Sequence, residues 1–116
     1  GIGVMVEVPA AALDADDLCR VVDFVSVGSN DLTQYLMAAD RTLDVVAHLY
    51  ASDHPAVWAC ISALVASARP AGCRVAVCGE LAADPDAAVR LVRLGVQEVS
   101  MAPSSIPAVK AALRSR

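Results

Sequence analysis

Aromatic side chains are scarce in this chain of 116 residues, which holds one Trp, two Tyr and one Phe. Basic runs are missing too, and the formal net charge is −4. Nucleic-acid binders advertise themselves by clustered cations and stacking rings, so no nucleic-acid footprint is expected. No window offers the roughly 18 uninterrupted apolar residues that a membrane span needs. No cationic start leads into an apolar stretch and a cleavage site, so no secretory leader is expected either. The four cysteines, Cys19, Cys60, Cys73 and Cys78, form no Cys-x-x-Cys pair and match no zinc spacing. Three of them read as free thiols in a reducing cytoplasm. Cys78 stands apart because of where it falls in the chain.

What is abundant is apolar and aliphatic. Hydrophobic residues make up 57% and the mean hydropathy is +0.56. With no membrane span available, such values fit a parallel α/β core, whose strands are buried on both faces and read as continuous apolar runs. The expected strands are Gly3–Glu7, Phe24–Val27, Arg74–Cys78 and Glu98–Met101. Helices are expected over Ala10–Arg20, with Leu13 and Leu18 on its apolar side, and over Pro55–Ala68, with Val57, Ile61, Leu64 and Val65 on one face. Shorter helical pieces are expected over Leu32–Ala39 and Leu43–Tyr50. A further helix is capped by Asp84, with Pro85 at its first position and Gly95 as its left-handed stop. A last one opens near Ser104 and ends in a basic turn. Strand and helix therefore alternate four times, which implies a parallel sheet. No low-complexity linker divides the chain. The start at Gly1-Ile2-Gly3 looks like a cut through a longer protein.

The stretch from Asp23 to Tyr35 organises the chemistry. It runs apolar, breaks at Gly28, and then presents Ser29, Asn30 and Asp31, as a buried strand delivering a binding loop would. Glu7, Asp31 and Cys78 each stand at the C-terminal end of a different expected strand, the edge on which parallel α/β folds build their sites. Two carboxylates meeting there offer oxygen ligands to a hard cation such as Mg²⁺, which takes one or two carboxylates and completes its octahedron with water and phosphate.

Ser26-Val27-Gly28-Ser29-Asn30-Asp31-Leu32-Thr33-Gln34-Tyr35, continued to Ala39-Asp40-Arg41, resembles the signature of the phosphoenolpyruvate-utilising enzymes. Val6-Glu7-Val8-Pro9-Ala10-Ala11, His48-Leu49-Tyr50, Val77-Cys78-Gly79-Glu80-Leu81-Ala82 and Ser100-Met101-Ala102-Pro103-Ser104-Ser105-Ile106-Pro107 are similar to the same family and occur in its order. Tyr35, Arg41 and the His48-Leu49-Tyr50 context favour the Enzyme I branch, the phosphoenolpyruvate–protein phosphotransferases of sugar uptake, over pyruvate phosphate dikinase and phosphoenolpyruvate synthase.

The resemblance implies a fold and a set of roles. The fold is the C-terminal half of a (β/α)8 barrel, with residues 1–116 forming a partial phosphoenolpyruvate-binding domain. Glu7 and Asp31 would hold Mg²⁺, Asn30 would donate to the phosphate, and Arg41 would pair with its oxygens. Gly28 would let the backbone approach the ligand. Cys78 would protonate the enolate methylene to give pyruvate, since thiols are mostly protonated at neutral pH. Glu80 would orient Cys78 or a water. The phosphorylated histidine of Enzyme I lies in a separate N-terminal domain, which is also the one that meets the phosphocarrier protein HPr. His54 therefore reads as a helix-start residue and His48 as a packing or polar contact. A half-barrel has open edge strands and a bare inner face. The isolated chain is accordingly expected to self-associate and not to turn over. The implied whole is a cytoplasmic transferase and a homodimer, with no membrane or nucleic-acid partner. A non-catalytic Mg²⁺- or phospholigand-binding module, or a dimerisation piece, is the reading from a different class.

Overall fold

Valines recur at every second position of three β-branched runs, at Val4 and Val6, Val25 and Val27, and Val75 and Val77. Side chains alternate along a strand, so each run turns its valines to one face. In a computed structural model that describes residues 1–115, these runs become the strands β1 (Gly3–Val6), β2 (Phe24–Gly28) and β3 (Arg74–Cys78), joined by β4 (Glu98–Ser100). All pairings are parallel and the strands lie in sequence order. Register aligns Val6 with Val27 and Val27 with Val77. Val6, Val25, Val27, Val75 and Val77 are all buried. The arrangement is that of four consecutive β/α units of a (β/α)8 barrel, as expected.

Eight helices connect and cover the strands: α1 (Pro9–Leu13), α2 (Ala15–Val21), α3 (Ser29–Met37), α4 (Asp44–Ala47), α5 (Pro55–Ala71), α6 (Glu80–Ala83), α7 (Pro85–Leu94) and α8 (Ile106–Arg114). The valine face meets Ala12, Ala15 and Cys19 of α1 and α2, Leu32 of α3, Val57, Ile61, Leu64 and Val65 of α5, and Leu91 of α7 in one core. Burying such a side chain contributes about 1.5–3 kcal/mol, so this face supplies most of the drive to fold. The other face carries Met5, Ser26, Ala76 and Glu98 in register, with Gly28, Cys78 and Ser100 one step nearer the C-terminal edge. Below them the Phe24 ring lies over Gly3, where an added Cβ would collide with it, and the Arg74 guanidinium sits 5.7 Å from the ring centroid. No helix among the described residues is long and apolar enough to cross a membrane.

Several boundaries differ from expectation. The helix expected over Ala10–Arg20 is two, broken at Asp14. The face it buries is Ala12, Ala15 and Cys19, while Leu13 is 85% exposed. Small residues let these short helices lie close against α5; of the two leucines expected on the apolar side, Leu18 packs partly buried against the core and Leu13 does not. Helix α5 continues through Pro70 to Ala71, past its expected end. Near a C-terminus proline keeps a helical φ, and the carbonyl it leaves unpaired belongs to exposed Ala66. Gly72 then turns left-handed at φ 67°, and Cys73 N–H returns to Ala68 O at 3.1 Å, the Schellman stop. Gly95, at φ 113°, closes α7 in the same way through Val96 N–H to Leu91 O. Asp84 caps α7 as expected, accepting from Ala87 N–H at 2.7 Å. His54 caps α5 through Nδ1, which accepts from Ala56 N–H at 3.1 Å. His48 is exposed at the end of α4 rather than packed.

Candidate active site at the strand C-termini

The polar stretch after β2 is the first turn of a helix and not the loop that was expected. Gly28 ends the strand and α3 begins at once with Ser29. Two hydroxyls explain why the chain can turn so sharply. Ser29 Oγ donates to Cys78 O on the neighbouring strand at 2.6 Å, and Thr33 Oγ1 donates back to Ser29 O at 2.7 Å. Both residues are almost fully buried. Asn30 and Asp31 therefore sit at a helix N-terminus, where unpaired N–H groups and the helix dipole favour negative charge.

A pocket of about 240 Å³ opens at this edge of the sheet, lined by Met5, Glu7, Gly28, Asn30, Asp31, Arg41 and Cys78 among others. Six expected site residues from four separate stretches of chain thus converge. Gly28 is essential to the convergence. A Cβ there would come within 2.8 Å of Glu7 Oε2, 3.0 Å of Glu7 Cβ and 3.3 Å of Met5 Sδ. The Glu7 carboxylate lies against β2 because that residue has no side chain.

Asn30 is fixed by its oxygen. Glu80 N–H donates to Asn30 Oδ1 at 3.0 Å, which sets the amide's orientation and leaves its N–H₂ end to donate elsewhere. Gly79, at φ 99°, makes that contact possible, since a Cβ there would lie 2.6 Å from Ser29 Oγ and 2.9 Å from Asn30 Oδ1.

Arg41 reaches the pocket from the segment after α3. That helix stops at Ala38, a non-glycine residue in the left-handed region at φ 50°, and Ala39 N–H returns to Gln34 O at 3.0 Å. The reversal buries Ala39 and turns the chain back toward the site. Asp40 accepts from both the N–H and the hydroxyl of Thr42, and these two bonds hold its carboxyl below the usual range. The Arg41 guanidinium sits 3.4 Å from Glu80 Oε1.

The Cys78 thiol is 3.4 Å from Val27 O, with Met5 Sδ and Ser26 Oγ each at 4.0 Å. Glu80 is not among these neighbours. Its backbone N–H anchors Asn30 and its carboxylate pairs with Arg41, whereas Cys78 or a water is what it was expected to orient. All four cysteines are free. In Cys19 the thiol is pushed up to about 11, by burial first and by the neighbouring Cys73 second.

Among the described residues no group of three or more His, Cys, Asp or Glu side chains is placed to hold a metal ion. A cation here would draw on Glu7 and Asp31 alone. Two carboxylates with remaining positions left to water and substrate oxygen is the usual Mg²⁺ arrangement, and the Gly28 cradle keeps one of them in place. The donor set fits.

Two residues near the site escaped the sequence reading. Gln34 Nε2 donates to Asp31 Oδ1 at 3.0 Å, and its Oε1 accepts from Arg41 N–H at 2.9 Å. The signal was the three-residue spacing from Asp31, which puts the two on one helix face. It is visible only once Asp31 is assigned to the helix. Tyr50 is the second: burial first, then the Glu80 carboxylate, raise its phenol pKa.

Residues 1–116 match the model of the family described as PEP-utilising enzyme, PEP-binding domain. The chain is 54% identical over 115 residues to a multiphosphoryl transfer protein of Xanthomonas campestris pv. campestris, covering 99% of this chain and 14% of that one. It is 49% identical over 111 residues to a phosphoenolpyruvate-protein phosphotransferase of Haloferax volcanii, covering 96% of this chain and 20% of that one. The chain thus spans a fifth or less of the length of these relatives. Among solved structures, an aldolase/citrate lyase family protein from Burkholderia cenocepacia superposes with a TM-score of 0.70 at 23% identity, over 99% of this chain and 42% of that one. An HpcH/HpaI aldolase from Desulfitobacterium hafniense gives 0.65 at 24%, over 95% and 39%. Likeness at that identity speaks to fold alone.

Proposed function

The chain belongs to the PEP-utilising enzyme family, matching its PEP-binding domain, and from that premise we propose that it supplies half of a site that moves the phosphoryl group of phosphoenolpyruvate to a protein histidine and releases pyruvate. One observation carries the reading: Glu7, Asn30, Asp31, Arg41 and Cys78 line a single pocket at the C-terminal strand edge. Two carboxylates, an amide donor, a guanidinium and a thiol match the needs of that substrate.

Phosphoenolpyruvate carries a phosphate and a carboxylate on one small frame. Glu7 and Asp31 would hold Mg²⁺, which when bound would supply Lewis-acid stabilisation of substrate oxygen charge. The free N–H₂ of Asn30 donates to the phosphate. Arg41 offers a planar fork of donors to the phosphate oxygens. As the bridging P–O bond breaks, its electron pair stays on the substrate oxygen as the enolate. The Cys78 thiol then gives its proton to the methylene carbon, and pyruvate results. For this the thiol turns from Val27 O toward the ligand, a rotation about one bond.

Among the described residues Arg41 is the one cation lining this pocket. A trianionic substrate calls for more, so the opposite half of the barrel supplies the remaining clamps, and the 116-residue piece alone does not turn over. The bare inner face also makes the isolated piece self-associate. In this reading the whole protein works in the cytoplasm as a homodimer and passes its phosphoryl group to the phosphocarrier protein HPr through a separate histidine domain. The test uses the full-length protein. Phosphoenolpyruvate with Mg²⁺ labels a histidine and releases pyruvate. Cys78→Ala still loses the phosphoryl group to the histidine but forms pyruvate at least about 100-fold more slowly, on the usual scale for a lost general acid. Equal pyruvate formation in Cys78→Ala refutes the proton-donor role; no phosphohistidine in the wild type refutes the reading itself.

A further inference from the structure

Resting on that reading, we infer that Gln34 is a positioning residue that ties the metal-side carboxylate Asp31 to the phosphate-side Arg41. The amide has two ends and uses one on each. Nε2 donates to Asp31 Oδ1 at 3.0 Å, and Oε1 accepts from the Arg41 backbone N–H at 2.9 Å. Among the described residues no other single side chain hydrogen-bonds both, and the Glu80 carboxylate meets the Arg41 guanidinium alone of the two.

Each bond has a separate consequence. The first occupies one Asp31 oxygen and points the carboxylate, so the other oxygen faces a cation singly. A neutral donor suits this task, because a second carboxylate would repel Asp31 and a cationic group would compete with the metal. The second bond adds a side-chain tie at Arg41 itself, in the segment that follows the left-handed Ala38 and is otherwise held by Ala39 and by the Asp40–Thr42 turn. Arg41 is exposed, and its guanidinium pairs with Glu80 only at 3.4 Å. Without Gln34 the side chain keeps its charge but loses the fixed root from which it reaches. A glutamine amide carries a donor and an acceptor side by side at its tip, and glutamate, lysine or methionine would each lose at least one arm.

The experiment uses the full-length protein, with Mn²⁺ alone as the metal probe. Gln34→Met keeps length and removes both bonds. The expected result is a Mn²⁺ dissociation constant raised about tenfold, the low end for losing an outer partner of a metal ligand. KM for phosphoenolpyruvate rises by a similar factor while the melting temperature moves by less than a few degrees. The decisive arm is a cycle with Arg41→Ala. There Gln34→Met adds less than about twofold to KM, because the segment no longer carries anything to position, while its effect on Mn²⁺ binding persists. Additive effects on KM, or a variant that loses its fold, make the role structural and overturn the inference. A wild type that binds both ligands and a Gln34→Met that matches it overturn this inference alone. A wild type that holds neither Mn²⁺ nor phosphoenolpyruvate overturns the underlying reading together with it.

Discussion

Adding one methyl group at Gly28 separates the site from the fold. The residue has φ −78° and ψ 84°, so alanine meets no left-handed strain there. Its Cβ instead meets Glu7 Oε2 at 2.8 Å and Met5 Sδ at 3.3 Å. Ordinary van der Waals contact begins near 3.4 Å, so the carboxylate must retreat by roughly half an ångström, about the tolerance within which a binding constellation works. Glu7 is only half-buried and Met5 is exposed, so both side chains have room to retreat. Overpacking costs on the order of 1 kcal/mol at such a yielding site, and the lost chain entropy of glycine returns about 0.4–1 kcal/mol. The two nearly cancel. Gly28→Ala is therefore expected to melt within a few degrees of wild type while binding Mn²⁺ about tenfold more weakly. Calorimetric titration of the full-length protein alongside a thermal melt reads both quantities. Wild-type Mn²⁺ affinity at unchanged stability would refute the claim that Gly28 exists to seat Glu7. Gly79→Ala is the contrasting case. It adds φ 99° to a contact of 2.6 Å with Ser29 Oγ, and strain of about 1–2 kcal/mol should lower the melting temperature visibly.

Ala38→Gly should stabilise the protein by about 0.5 kcal/mol, because the left-handed penalty it relieves exceeds glycine's entropic cost; chemical denaturation reads this, and a loss of stability would show that the alanine methyl packs favourably. Asp84→Ala should cost about 1 kcal/mol by removing the cap on α7, while Asp84→Asn costs much less. The Cys19 thiol is raised from 9.0 to about 11 in the fold. Above pH 9 the unfolded chain therefore loses this proton first, and stability falls as pH rises from 9 to 11. Cys19→Ala should flatten that alkaline decline, and an unchanged slope would assign it to other groups. For Asp40 the sign is opposite: its lowered pKa favours the fold above the unfolded carboxylate range and the benefit fades as acid protonates it.

The fold was legible because strand and helix follow simple rules in this chain. Continuous valine runs announced the strands, and Asp84-Pro85 and Gly95 marked the ends of α7 by capping chemistry that is local in sequence. Failures came where tertiary packing chose between local options. Leu13 lost the inward stripe to Ala12, Ala15 and Cys19, because close approach to α5 needs small side chains. Ser29 to Asp31 look like loop residues by composition, yet Ser29 finds a carbonyl acceptor on β3, far away in sequence, and that bond starts the helix early. That Glu7, Asp31 and Cys78 meet at one edge was legible from their order at strand ends, and the structure lines one pocket with them. Their orientation was not, since it rests on Glu80 N–H reaching Asn30 and on Gln34 reaching in two directions. Glu80 shows the cost: nothing in the sequence indicates that its side chain turns to Arg41 and not to Cys78.

That pairing bears on how the site meets its substrate. Arg41 and Glu80 lie 3.4 Å apart with side chains 37% and 63% exposed, and ion pairs so open to water contribute about 0–1 kcal/mol. The guanidinium is thus pointed but not held. On the proposed reading, a phosphate entering the pocket would offer it bidentate charge-assisted bonds in place of a single pair open to water. Glu80 itself cannot follow, because its backbone N–H is bonded to Asn30 and its residue opens α6 directly after the left-handed Gly79. A weak partner fits this position better than a strong one would, since a buried, tightly paired Glu80 would compete with the phosphate for the one cation lining this part of the pocket.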